Sequence, residues 1–324
     1  MIKISWKHLG LGAGAAAVAG FVAVAIISAK PAPPPPTFPD PPPLPAERPS
    51  MATGPLFPEG LGLAITPDST TSTLLQYTAS FMRKMADLVE QVGGQPGQGS
   101  ITIFVVPVGA EGANPRNSAL VIRLEPTSQQ PTRRATKPRP AKPDFDATCM
   151  NDFNRDRCRE RLLGEYTSQL SEALADERLA QEEYEAALAR FDAELTEART
   201  RAHAAAEQLR NLALTDTEAC SDVAGAINLA LRDLEDTPGD MARFLFVQTD
   251  LAHNCGSSEP IAASEAGLDG VTVLFLDCGE VGSVCESREA WLRSLLTAAG
   301  APEPKFYLPA VSEALPVGEL LEVQ

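Results

Sequence analysis

The sequence predicts an α/β fold: a mainly parallel sheet flanked by helices, with a long helical insertion and an N-terminal transmembrane helix. Three observations predict it. Short apolar, β-branched runs alternate with segments of helical period, at the spacing of βαβ units. From Asp152 to Leu214 there is no proline, and Gly164 is the only glycine, as a long helix requires. Leu9 to Ala29 carries no charge at all. At 324 residues, 44% hydrophobic and 22% charged, the chain has enough apolar material for a buried core.

Residues 1–8 hold Lys3 and Lys7 and no acid. The 21 residues of 9–29 are enough to span a bilayer core of ~30 Å at ~1.5 Å per residue. The positive flank places residues 1–8 in the cytoplasm and the bulk of the chain outside. A cleavable signal peptide is the rival, with Ile27-Ser28-Ala29 as its processing site. Gly10-x-Gly12-x-Gly14 imitates half a dinucleotide fingerprint, but no strand precedes it and no third glycine or acid follows at the required offsets. These glycines suit a membrane helix, and Gly12, Ala16 and Gly20 offer it a small-residue pairing face. Residues 30–58 are largely proline, which fixes φ and removes amide donors, so they read as a semi-rigid spacer of ~3 Å per residue.

The body begins at 59. Leu61 to Ile65 is a strand. From Leu74, positions 74, 78, 81, 85, 88 and 92 keep a helical period until Gly93 and Gly94 stop it. Ile101 to Val106 is apolar throughout, as in a strand buried on both faces, and Ala119 to Leu124 follows a Gly/Asn/Pro turn. This first part spans 59–125. An insertion spans 126–214. Its proline-rich start holds Arg133, Arg134, Lys137, Arg139 and Lys142, with no acid between Pro126 and Pro143. It reads as an exposed linker, open to an anionic partner or to the body's own acidic surface. In the helix beyond, Tyr184, Leu188, Phe191, Leu195, Ala198, Ala202, Ala205, Leu209 and Leu212 form one apolar seam, interrupted upstream by Glu177 and Gln181. Two readings stay open for it: a helix lying on its own domain, or a coiled coil between chains. The second part, 215–310, holds Val223 to Leu234 (helix), Phe244 to Val247 and Val271 to Leu276 (strands), Glu286 to Ala299 (helix) and Lys305 to Leu308 (strand). Residues 311–324 form an acidic, partly apolar tail.

The balance of 27 Lys+Arg against 43 Asp+Glu, net −16, argues against a nucleic-acid partner. Three histidines leave no basis for a His-rich zinc site. All six cysteines lie beyond the spacer, and an even count on an exported segment indicates disulfides. Cys149–Cys158, Cys220–Cys255 and Cys278–Cys285 are the pairings expected here, out of 15 that six cysteines allow.

Ligands of such sheets bind at the carboxyl ends of the strands. Three loops meet there: Asp68-Ser-Thr70-Thr-Ser72 after the first strand, Ser221-Asp222-Val223 opening a helix, and Gln248-Thr249-Asp250 ending a later strand. Their carboxylate and hydroxyl oxygens are hard ligands suited to Mg²⁺ or Mn²⁺.

In these residues the chain resembles the von Willebrand factor type A family over about Gly60–Leu124 and Thr215–Leu308. That family carries Asp-x-Ser/Thr-x-Ser after its first strand, a Thr before a helix and an Asp ending a later strand. Asp68, Thr70 and Ser72 match the first motif, Ser221 the Thr and Asp250 the Asp. The resemblance implies a Rossmann-like fold and a metal-ion-dependent adhesion site, in which a partner's acidic residue completes the metal shell. The chain departs from the pattern at Pro67, which leaves open a register with Thr66 in the Asp position. It departs again at Ser221 and at Leu251, where the family often has Gly.

The function this predicts is a membrane-anchored binding module of the bacterial envelope. It is single-pass in the inner membrane, has its bulk in the periplasm or outside the cell, and captures a protein partner through an acidic ligand. The alternative is an assembly protein, a homo-oligomer formed through the long helix, with a degenerate site. No Gly-x-Ser-x-Gly, Gly-x-x-x-x-Gly-Lys-Ser/Thr or His-Glu-x-x-His motif is present, so no enzyme is expected. His253, three residues beyond Asp250, reads as a surface residue.

Overall fold

The computed structural model describes residues 41–49, 54–68, 75–109, 120–212, 220–252, 270–276, 283–298, 300 and 304–307. The chain divides into two units, Met1–Pro45 and Ala46–Gln324. Of the first, only 41–45 are described, so the expected span 9–29 lies outside the described residues. Among the described residues no helix is long and apolar enough to cross a membrane.

The apolar runs at 61–67, 101–105 and 244–248 form strands with both faces buried. The strands are β1 (Leu61–Pro67), β2 (Ile101–Val105), β3 (Leu120–Leu124), β4 (Ala242–Gln248), β5 (Val271–Leu276) and β6 (Lys305–Tyr307). Successive side chains alternate between two cores. Leu61, Leu63, Ile65, Ile101, Ile103, Phe244 and Phe246 join one core; Ala64, Phe104, Leu245, Val247, Val273 and Phe275 join the other. The first core is closed by α1 (Leu75–Gly93) and the end of α3 (Arg155–Arg210). The second is closed by α4 (Val223–Glu235) and α5 (Ser283–Ala298). A one-turn helix, α2 (Phe145–Thr148), precedes α3 and is capped by the Asp144 carboxylate.

The strand order is β3-β2-β1-β4-β5-β6. All neighbours are parallel except β2 and β3. The sequence between those two is short and carries Gly, Asn and Pro with no helical period, in keeping with the antiparallel return of β3. The order runs outward from β1 in one direction and from β4 in the other, which is the doubly wound arrangement. The α/β sheet and the long helix expected from sequence are therefore present.

The helix expected over 152–214 runs Arg155–Arg210, begun by the Asn154 side chain accepting from Arg157 N. Of the two readings left open for its seam, the downstream half fits the first, packing on α1 of the same chain. A Cβ on Gly93 would sit 2.9 Å from the Ala202 Cβ, so glycine permits the close crossing. At the rim of this contact Arg210 binds Asp87 at 2.7 Å and Glu90 at 2.6 Å.

The basic segment after Pro126 lies on α3, binding the body's own acidic surface. Arg134 donates to Asp176 (3.0 Å) and Glu183 (2.8 Å), Arg139 to both oxygens of Glu177 (2.6 and 2.7 Å), and Ser128 to Glu194 (2.8 Å from N, 2.9 Å from Oγ). Residues 46–49 and 54–58, which composition assigns to the spacer, also pack on the body. Arg48 grips Asp192 with two bonds (2.7 and 3.0 Å), and Phe57 enters the first core. Proline removes many amide donors from these stretches, so arginine side chains make much of the contact, with the amides of Ser128, Lys137 and Arg48 adding to it. A Cys149–Cys158 disulfide closes the turn between the segment and α3.

Candidate functional site

β1 and β4 are neighbours with Pro67 opposite Gln248, so Asp68 and Asp250 leave adjacent strands at the same carboxyl edge. This is where the strand order reverses, the place at which open α/β sheets part to form a crevice. Ser221 is brought in by backbone bonds: Val108 N donates to Pro67 O at 2.9 Å, and Asp222 N to Gly109 O at 2.8 Å. Asp68, Ser221 and Asp250 thus share one rim. Thr70 and Ser72 lie outside the described residues, as does His253.

Asp68 is fully buried. Its Oδ2 accepts from the Thr249 hydroxyl at 2.6 Å, its amide donates to Gln248 Oε1 at 3.3 Å, and its carbonyl accepts from Thr78 Oγ1 at 3.0 Å. These bonds hold Asp68 from two sides, its carboxylate and amide from the end of β4 and its carbonyl from α1. Thr66 lies within β1, its hydroxyl donating to the Phe246 carbonyl at 3.1 Å. The neighbouring Asp222 serves α4, capping it through Gly225 N at 2.9 Å.

Asp250 is nearly buried, and its Oδ1 accepts from Ala252 N at 2.8 Å. The next residue, Leu251, has φ 60° while lying buried in the second core. It is the one described non-glycine residue in the left-handed region, at the position where the resembled family often has Gly. Arg288 of α5 donates to the Asp250 carbonyl at 2.9 Å and sits 3.9 Å from Oδ2. Among the described residues the buried Gln248 Nε2 meets no hydrogen-bond acceptor.

The donor set fits a small hard dication: two carboxylates and a hydroxyl at one edge, with no soft ligand among them. The Arg288 guanidinium beside Asp250 is the one feature that works against it. Among the described residues no three of His, Cys, Asp and Glu gather around one point, so a cation here would rest on two carboxylates with hydroxyls. Thr249 and Gln248 were legible as part of the third loop, though not as supports of Asp68. Arg288 gave no signal, because it lies on a helix 38 residues from Asp250 and only the sheet's twist and packing bring it in.

Cys149–Cys158 forms as expected. Cys220 and Cys285 are also disulfide-bonded. Cys255 and Cys278 lie outside the described residues.

Fold and rim define an α/β domain of Rossmann-like strand order with an oxygen-rich switch point. No protein-family model matches the chain, and no curated protein matches it either.

Proposed function

We propose that this chain is a membrane-anchored binding module of the bacterial envelope. In this reading it belongs with the von Willebrand factor type A domains, and its switch-point rim holds Mg²⁺ or Mn²⁺ for a protein partner. Asp68 and Asp250 supply the charge; Thr70, Ser72 and Ser221 supply hydroxyl oxygens. A partner's Asp or Glu completes the shell. The reading has no catalytic step. Residues 9–29 anchor the chain in the inner membrane, with 46–324 on the outer side.

The observation that supports it is the register of β1 and β4, which brings Asp68 and Asp250 to one edge. Titration calorimetry of the full chain in detergent with Mn²⁺ and Mg²⁺ tests the ion. Capture of envelope proteins with and without Mg²⁺ tests the partner. Asp68→Ala and Asp250→Ala should each weaken ion binding at least tenfold and abolish Mg²⁺-dependent capture. Capture that persists in EDTA would overturn the reading.

The assembly alternative draws support from one observation. At 56 residues, α3 is about 84 Å long, against about 28 Å for the 19 residues of α1. Much of it therefore extends past the helix it packs on.

A further inference from the structure

Arg288 stands on the buried face of its helix. On α5, Cys285, Leu292 and Leu296 are buried, and Arg288 falls in line with them, three residues after the first and four before the second. Leu292 and Leu296 pack in the second core together with Leu251. Arginine is seldom placed on such a face, because its charge must leave water. Here the side chain is only 27% exposed, and its guanidinium ends at the turn that follows β4.

Its hold on that turn is through backbone. Nη1 donates to the Asp250 carbonyl at 2.9 Å, whereas Asp250 Oδ2 is 3.9 Å away. A direct hydrogen bond ends at about 3.2 Å, so the guanidinium does not clasp the carboxylate as a forked pair would. The turn is itself fixed. Asp250 Oδ1 accepts from Ala252 N at 2.8 Å, and the Thr249 hydroxyl binds both Leu251 N (3.1 Å) and Asp68 (2.6 Å). Arg288 thus keeps a positive charge beside the rim on a support that an arriving ion need not break. Asp68 and Asp250 bring two negative charges, and Arg288 answers one of them. A dication held by that pair would overshoot by one charge until a third carboxylate arrives.

We propose that Arg288 sets the ion affinity of the rim. Its charge keeps the bare rim weak for Mg²⁺ or Mn²⁺, so that firm ion binding waits for the partner's carboxylate. Ion and partner then bind as a pair, each raising the affinity of the rim for the other. The inference rests on the proposed metal rim.

The test is calorimetric titration of Mn²⁺ alone into the full chain in detergent, at fixed ionic strength, through a charge series at one position. Arg288→Lys keeps the charge and should bind Mn²⁺ as wild type does. Arg288→Gln should bind about tenfold more tightly, and Arg288→Glu, which supplies a third carboxylate in place, more tightly still. Arg293→Gln is the control for overall charge, because its guanidinium lies over the Phe306 ring, 4.9 Å from the centroid; it should change nothing. Circular dichroism checks that each variant keeps the fold. A second measurement needs no variant: acetate in place of chloride should tighten Mn²⁺ binding by wild type, after correction for the acetate complex in solution. Equal affinity of Arg288→Gln and wild type would overturn the role of Arg288 while leaving the ion site standing. So would equal tightening by Arg288→Lys or Arg293→Gln, or acetate without effect on wild type. No Mn²⁺ binding by any of these chains would overturn the ion site and this inference together.

Discussion

Thr249 supports the candidate site through one hydroxyl. It donates to the buried Asp68 at 2.6 Å and accepts from Leu251 N at 3.1 Å, so it fixes a carboxylate and a turn together. Thr249→Val keeps shape and removes both bonds. Because a buried charge loses a donor, the expected cost is about 1–3 kcal/mol, read as a shift in denaturant midpoint at constant slope. A loss below about 0.5 kcal/mol would mean that Asp68 does not depend on this hydroxyl. Leu251 presents two opposed terms. A left-handed backbone costs a side chain of its kind about 1–2 kcal/mol, and burying leucine returns about 1.5–3 kcal/mol. Burial wins narrowly, which is how a non-glycine residue holds this position.

Among the elements, the 126–142 segment on α3 is the one governed by charge. Hydrogen bonding from Arg139, reinforced by its charge and that of Arg133, holds the Glu177 carboxyl below its ordinary range, against burial and the neighbouring Asp176. Arg134 and the Lys137 amide do the same for Asp176. A carboxylate whose folded pKa is depressed adds stability above its unfolded value, about 4.3 for Glu and 3.9 for Asp. That stability is lost as pH falls through the lower folded value. The segment should therefore stay seated at neutral pH and loosen below about pH 4, seen as faster proteinase K cleavage between 126 and 143. Arg139→Ala should show the faster cleavage already at pH 7. Equal cleavage of wild type and variant at pH 7 would mean that Arg139 does not hold the segment.

At the scale of the whole molecule, the candidate rim and the projecting part of α3 are separate surfaces on one body. An ion that binds only the folded rim raises the melting temperature by mass action. At a hundredfold excess over its dissociation constant the gain is about 2.7 kcal/mol. Mg²⁺ should thus raise the melting temperature of wild type and of Arg139→Ala alike, but not that of Asp68→Ala. A shift that survives Asp68→Ala would place the ion elsewhere.

The sequence by itself determined the six strands, the four longer helices and their order, though not the one-turn α2. Apolar runs, helical period and the Gly93-Gly94 stop are local properties, and burial on both faces allows no other use of Ile101 to Val106. It also marked the three loops of the rim, since Asp and hydroxyl residues after apolar strands stand out in composition. Tertiary structure alone decided the rest. It placed β1 beside β4, and so Asp68 beside Thr249, because strand neighbours follow from helix packing on two faces. It brought Arg288 to Asp250 across 38 residues. It turned a basic stretch that composition reads as an exposed linker into a cover for α3, because the complementary acids are spread over a helix whose face exists only once it is folded.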